Sequence, residues 1–219
     1  MDPNRFIPWD TIHLNVPVEK VFCEYLTWNR FLEISEKTAD KMNASGYRPD
    51  FVVSIARGGW VFGRVLCDYL NVTDLVSLKV EHWGMTATPD GEAKIKYPFN
   101  LDLTGRKVLI VDDISDTGKS LKVATEFIAK MNPADIKTTT LFYLTGSKFM
   151  PDYYGVEMKW RWVVFPWNWV EDMCNLVAKV SDDDPAPSTI QVRMKDTFSL
   201  NISKTQVEKM LKEIKRRKK

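Results

Sequence analysis

The segment VLIVDDISDTGKSL, residues 108–121, carries the pattern that decides the fold. A short apolar run ends in two adjacent carboxylates, Asp112 and Asp113, and a third, Asp116, follows three residues later. The residues that come next, and that open a run with helical spacing, are Thr117, Gly118, Lys119 and Ser120. A buried strand that leads directly into a helix is typical of α/β proteins with a parallel sheet.

The start of the predicted helix is suited to a phosphate group. Backbone N–H groups at a helix N-terminus carry partial positive charge, and Gly118 allows a close backbone approach. Carboxylates suit sugar hydroxyls, or a divalent metal held by those hydroxyls. One Asp could simply cap the helix. Three acids before this turn instead indicate a ligand with a phosphate, a vicinal diol and Mg²⁺; the GxxxxGK[ST] spacing of a Walker loop is absent.

Similar alternation of strands and helices extends along most of the chain. The apolar patterns predict strands at 51–56, 75–80, 107–111, 136–144 and 160–165. They predict helices at 18–42, 60–70, 117–131, 168–180 and 203–216. The expected fold is α/β, with a mainly parallel five-stranded sheet flanked by helices and a C-terminal helical cap.

Two domains are expected on this basis. Residues 1–166 form the core, including a polar, turn-rich segment at 82–100 that reads as a mobile loop or a hairpin. Residues 167–219 form a small helical extension. The basic residues of its last helix are interpreted as a solvated face, although a basic tail can also bind polyanions.

The acidic segment resembles the phosphoribosyl-diphosphate (PRPP) motif of type I phosphoribosyltransferases. The resemblance implies that Asp112 and Asp113 address the ribose hydroxyls and the Mg²⁺ bound with PRPP. It implies that residues 116–120 hold the 5′-phosphate. In purine-using members the acid at the position of Asp116 lies near N7 of the base and handles a proton, so Asp116 is a catalytic candidate.

A second segment, Ala56-Arg57-Gly58-Gly59, follows the first predicted strand. Its glycines expose backbone N–H groups, and Arg57 supplies a fixed cation, which suits pyrophosphate. The segment resembles the family's pyrophosphate loop, where a non-proline cis peptide is common. Arg57 is the second catalytic candidate, and Lys79, near the end of the next strand, is a further pyrophosphate contact.

The base site is predicted from a third resemblance. Trp162-Val163 lies in a segment similar to that of the 6-oxopurine enzymes, where the aromatic ring stacks on the purine and the next residue's backbone reads its edge. A core aromatic would fit Trp162 equally well. The family's 6-oxopurine members present a Lys where this chain has Leu144, which favours adenine. Lys148 could replace that Lys if its loop bends back, and Asp116 itself resembles the 6-oxopurine branch.

Other expectations concern the protein's setting. The chain also resembles crenarchaeal adenine enzymes with a helical C-terminal part, which implies AMP formation in purine salvage and a homodimer. The three scattered cysteines and the lack of a secretory signal indicate a reducing cytoplasm, and no apolar run reaches the ~20 residues that cross a bilayer. Nucleic acid and membrane partners are not expected. The open alternatives are a 6-oxopurine enzyme, a non-catalytic PRPP- or nucleotide-binding regulator, and an interaction protein.

Overall fold

The computed structural model describes residues 21–82, 92–181 and 186–217. The chain divides into two compact units: Thr27–Trp160, and a second unit that joins the residues up to Leu26 with those from Arg161 onward. The strands are β1 (Cys23–Tyr25), β2 (Phe51–Ala56), β3 (Leu75–His82), β4 (Ala93–Ile95), β5 (Lys107–Ser115), β6 (Asp135–Leu144), β7 (Tyr153–Met158) and β8 (Trp162–Val164). The helices are α1 (Trp28–Ala44), α2 (Gly59–Leu70), α3 (Lys119–Ala129), α4 (Trp169–Val180), α5 (Pro187–Phe198) and α6 (Lys204–Arg217).

The first unit is built on a six-stranded sheet with the order β4-β3-β2-β5-β6-β7. Every neighbouring pair is parallel except β3 and β4, which are antiparallel. The central strands are apolar and buried, as expected when helices cover both faces of a parallel sheet. The predicted α/β class is therefore confirmed, but the sheet has six strands rather than five.

Side-chain alternation places the helices on opposite faces of this sheet. Val53 and Ile55 of β2 share a buried apolar cluster with Leu121 and Ile128 of α3. Ser54, which points to the other face, lies directly against Gly63 of α2. Both faces of β2 are thus covered, and its carboxyl end is held in a fixed position between two layers.

The chain order creates a switch point beside β2. From β2 the chain moves to β3 on one side, whereas β5 lies on the other side of β2. In open α/β sheets ligands bind outside the carboxyl ends of the strands at such a point. The residues that follow β2 and end β5 therefore lie where a sheet of this kind binds its ligand.

Several predicted elements differ from the structure. The helix expected at 18–42 starts only at Trp28, because Cys23–Tyr25 forms a strand and the Thr27 hydroxyl accepts a hydrogen bond from the Arg30 amide at 3.2 Å. The strand expected at 160–165 is shorter, as β8, and lies outside the main sheet because it pairs with β1. Strand β7, which completes the edge of the main sheet, was not predicted.

The segment at 82–100 includes one predicted feature that the structure confirms. Strand β4 returns antiparallel to β3, with Val80 opposite Ile95, so the segment is a hairpin at its base. Residues 83–91, the middle of the segment 82–100 that was expected to form a mobile loop, lie outside the described residues.

The second unit has its own apolar core. Helices α4, α5 and α6 share a cluster that includes Val177, Met194 and Val207, and Val164 of β8 belongs to it. The structure thus groups β1 and β8 with the C-terminal helices, while the domain boundary expected between residues 166 and 167 stays a prediction. Among the described residues no helix has the length and apolarity to cross a membrane.

Candidate active site

Two adjacent carboxylates lie near the end of β5. Asp112 is only 8% exposed, and its Oδ1 accepts a hydrogen bond from the backbone N–H of Asp113 at 3.0 Å. Burial, and secondarily the charge of Asp113, raises the pKa of Asp112 well above its usual range. Because two neighbouring carboxylates repel each other, this pair is suited to a ligand that brings hydroxyl donors or a cation.

The pair fits Mg²⁺ in the way that the family implies. No group of three or more acidic, His or Cys side chains that could hold a metal occurs in the described part of the chain. Mg²⁺ commonly takes one or two carboxylates and completes its octahedron with water and substrate oxygens. Asp112 and Asp113 match that donor set, and the substrate would supply the remaining oxygens.

The loop after β2 lies directly against these carboxylates. A Cβ atom at Gly58 would overlap the carboxylate of Asp113. One at Gly59 would lie 2.5 Å from the carbonyl oxygen of Val111 and 2.8 Å from the Cα of Asp112. Only glycine allows this approach, which brings the predicted pyrophosphate loop and the predicted diol-binding acids together.

The rest of the predicted pyrophosphate site is also assembled here. The Ala56–Arg57 peptide bond is cis, as the family resemblance implied. Lys79 of β3 lies opposite Ala56 in the parallel register, so it is adjacent to that peptide. Its Nζ lies 3.9 Å from Oε1 of Glu81, which is also 3.0 Å from the Nζ of Lys96. A cation near the end of β3 therefore lies beside the loop that carries Arg57.

The residues predicted to hold the 5′-phosphate are a bend at 116–118 and the first two residues of α3; we call this segment, residues 116–120, the phosphate turn. Gly118 has φ of +78° and caps the start of α3, a conformation that favours glycine. The hydroxyl of Thr117 accepts a hydrogen bond from the backbone N–H of Lys119 at 3.4 Å. Asp116 is exposed at the beginning of the turn. The phosphate turn thus leaves the sheet from the same strand as the acidic pair.

The loop between β6 and β7, residues 145–152, also reaches the phosphate turn. The backbone N–H of Lys148 donates to the carbonyl oxygen of Thr117 at 3.3 Å, so the loop does bend back toward the turn. Lys148 itself is exposed. Ser147 and Phe149, which contact the turn, were missed by sequence reasoning; the available signal was their place directly after a strand end.

The predicted base-binding residues fall in different parts of the chain. Leu144 ends β6 in the first unit and is 2% exposed. Trp162 and Val163 lie on β8 in the second unit. Trp162 packs on the apolar cluster of the C-terminal helices, and its indole Nε1 has no hydrogen-bond partner among the described residues. The stacking role of Trp162 stays a prediction.

Residues 23–172 match the family model of the phosphoribosyl transferase domain. The chain belongs to the phosphoribosyl transferase family. The matched range runs from β1 into α4, so it includes the acidic pair, the glycine loop and the phosphate turn.

Curated relatives from three organisms show the same likeness. The human phosphoribosyltransferase domain-containing protein 1 is 31% identical over 144 residues, which cover 60% of this chain and 64% of the human protein. Mouse hypoxanthine-guanine phosphoribosyltransferase is 27% identical over 169 residues, covering 69% and 75%. Xanthine-guanine phosphoribosyltransferase of Cereibacter sphaeroides is 29% identical over 162 residues, covering 70% and 90%. The chain thus spans less than two thirds of the human relative's length.

A solved structure agrees with these relatives. The purine phosphoribosyltransferase of Pyrococcus horikoshii superposes with a TM-score of 0.59 and is 32% identical, covering 66% of this chain and 93% of its own. The sheet and the flanking helices therefore follow the architecture of the family.

Proposed function

We propose that this protein transfers the 5-phosphoribosyl group of PRPP to a purine base and releases pyrophosphate. The observation that carries the proposal is the contact of Gly58 and Gly59 with Asp113 and Asp112. It supports a single ligand that presents a pyrophosphate to one loop and a ribose diol to the other. Family membership and the purine enzymes among the relatives support the same reaction.

Each part of the site has a role in this reaction. Asp112 and Asp113 hold the ribose hydroxyls and would hold Mg²⁺, which when bound adds positive charge beside the pyrophosphate. Arg57 and the exposed N–H groups of the glycine loop bind the pyrophosphate and stabilise the charge that it gains on leaving. The phosphate turn binds the 5′-phosphate, so PRPP is held at its ribose hydroxyls, its pyrophosphate and its 5′-phosphate.

The chemical step forms one bond and breaks one bond at C1 of the ribose. N9 of the purine donates its electron pair to C1, and the bond from C1 to the pyrophosphate oxygen breaks with its electrons on the leaving group. The ribose carries oxocarbenium-like charge between these events. Asp116, exposed at the start of the phosphate turn, orients the base at N7 and accepts the proton that the base loses.

Adenine is our proposed acceptor, and AMP the product. The support is Leu144, a buried apolar side chain at the end of β6 that offers no donor to a 6-oxo group. A site that lacks a donor does not discriminate against the 6-amino group of adenine.

A 6-oxopurine acceptor is the rival, favoured by a specific observation. The β6–β7 loop bends back onto the phosphate turn and carries the exposed Lys148, which could donate to the 6-oxo oxygen. The mouse and Cereibacter relatives are named for hypoxanthine, guanine and xanthine.

Turnover of PRPP with adenine, hypoxanthine, guanine and xanthine decides between these acceptors. Adenine turnover that survives in Lys148→Met supports our choice. Turnover with 6-oxopurines alone, lost in Lys148→Met, establishes the rival. Tight PRPP binding without turnover on any purine would instead establish a non-catalytic regulator.

A further inference from the structure

The β6–β7 loop is fixed to the first unit in its middle and at its C-terminal end. Phe149 packs against the apolar cluster that α3 shares with the sheet. At the far end, the carboxylate of Asp152 accepts hydrogen bonds from the backbone N–H and the hydroxyl of Thr138 at 2.8 and 2.9 Å, and it pairs with Lys137 at 2.9 Å. The loop therefore has little freedom to move away from the phosphate turn.

Two serines connect this loop to the end of β5. The hydroxyl oxygens of Ser115 and Ser147 are 2.9 Å apart, and Ser115 donates to the carbonyl oxygen of Phe149 at 2.9 Å. The backbone N–H of Phe149 lies 3.3 Å from the Ser147 hydroxyl. One assignment of protons satisfies these three contacts: Ser147 donates to Ser115, Ser115 donates to the carbonyl, and the amide donates to Ser147. The Ser147 hydroxyl also lies 3.2 Å from the Phe149 carbonyl oxygen and can donate to it instead.

Ser115 lies immediately before the phosphate turn and is 2% exposed. A buried hydroxyl of this kind costs free energy unless it is hydrogen-bonded, so the link to Ser147 and Phe149 fixes the side chain and the backbone around it. The next residue, Asp116, begins the turn that is expected to receive the 5′-phosphate.

The turn and the loop also touch at Gly118. A Cβ atom at Gly118 would overlap the Cβ of Phe149 and would lie 2.8 Å from the Phe149 amide nitrogen and 2.9 Å from the Ser147 hydroxyl. Since no space remains between the two segments, a shift of the loop is transmitted to the N–H groups at the start of α3.

We infer that Ser147 is a positioning residue for the 5′-phosphate: together with Ser115 it holds the β6–β7 loop against the phosphate turn and so fixes the N–H groups that bind the substrate. The inference rests on the proposed PRPP reaction. It assigns a role to residues that do not themselves carry out the chemistry.

The test compares Ser147→Ala, Ser115→Ala and the double variant with the wild type. PRPP binding is measured by calorimetry with Mg²⁺ and without a base, and steady-state constants are then measured for PRPP and for the purine. Each single variant is expected to raise the PRPP Kd and KM about 3- to 10-fold, the effect of one hydrogen bond. The purine KM and kcat are expected to stay within about twofold. Because the bond between the two serines is lost in either single variant, the double variant should raise the PRPP Kd by less than the product of the two single effects.

Thr125→Ala is the matched control, since its hydroxyl donates to the Leu121 carbonyl within the same helix at 2.8 Å and makes no hydrogen bond to the loop in the described part of the chain. It removes one hydroxyl bond from α3 and should leave PRPP binding unchanged. If Ser115→Ala fails to fold, Ser147→Ala alone is used for the test, because Ser147 is only half-buried. PRPP constants in Ser147→Ala equal to those of the control, or kcat and both KM values changing together, would overturn the inference while leaving the reaction in place. A wild type that binds no PRPP would overturn both.

Discussion

Replacing Gly58 with Ala tests the contact between the glycine loop and the acidic pair. Gly58 has φ of −65° and ψ of −45°, a conformation that alanine adopts readily. Backbone entropy alone therefore predicts that the variant is more stable by about 0.4–1 kcal/mol. The added methyl group, however, would overlap the carboxylate of Asp113, so either this side chain or the loop must move.

The expected cost falls on substrate binding rather than on folding. Overpacking a tight contact typically costs about 1–3 kcal/mol. If the Asp113 carboxylate rotates away from the methyl group in the free protein, PRPP binding must return it to the overpacked position. The cost then appears in the PRPP Kd. At about 1.4 kcal/mol per tenfold change, the PRPP Kd should rise roughly 5- to 150-fold. Calorimetry with PRPP and Mg²⁺ measures that change, and thermal unfolding without ligand shows whether the fold persists.

Two control comparisons separate the overlap with Asp113 from a general loss of PRPP binding. Gly146 lies in the β6–β7 loop, and apart from its chain neighbours no described residue has an atom within 4 Å of the added Cβ, so the PRPP Kd of Gly146→Ala should stay within about twofold of the wild type. In an Asp113→Ala background the Gly58→Ala change should add almost nothing, because the overlapping carboxylate is gone. An unchanged Kd in Gly58→Ala, or effects of the two substitutions that simply add, would refute the reasoning.

Three further predictions concern charged groups. Asp112→Asn removes a buried carboxyl whose folded-state pKa is raised, so the stability that Asp112 contributes is fully present below the unfolded pKa of about 3.9 and is lost as the pH rises through the folded pKa. Urea unfolding without metal should therefore show that the variant is more stable than the wild type at pH 8, by about 1–3 kcal/mol, and that the difference shrinks toward pH 4. The variant should also lose PRPP binding. Equal stability of the two proteins at pH 8 would contradict this prediction. Asp116→Asn should lower kcat about 100-fold or more while the PRPP Kd changes little, and matched losses in both would reduce Asp116 to a structural role. Lys79→Gln should weaken product inhibition by pyrophosphate about 3- to 10-fold without changing the Kd of AMP, whereas an unaltered inhibition constant would remove Lys79 from the site.

The local parts of the site could be predicted because they are encoded in short stretches of sequence. A buried strand, three acids and a glycine-containing turn lie within fourteen residues, and their physical chemistry points to one ligand. The approach of the glycine loop to Asp113 followed from topology, since the carboxyl ends of neighbouring parallel strands share one edge of the sheet.

The contacts that escaped prediction depend on partners far along the chain. The helical spacing of Val21, Tyr25 and Trp28 continues across Thr27, so periodicity cannot show that β1 pairs instead with β8. Strand β7 was hidden for a similar reason: Gly155 interrupts its apolar pattern, and the residue is needed because a side chain there would overlap Ile34 of α1. Ser147 has no local signal beyond its position after β6.

The reaction itself is tested most directly by mixing the protein with Mg²⁺, PRPP and each purine, and measuring nucleotide and pyrophosphate together. We predict that both products form in equal amounts with at least one purine, adenine being our proposed acceptor. Gly58→Ala should slow the formation of both products at subsaturating PRPP, whereas Gly146→Ala should not. Pyrophosphate release without nucleotide, or PRPP binding with no product on any purine, would contradict it.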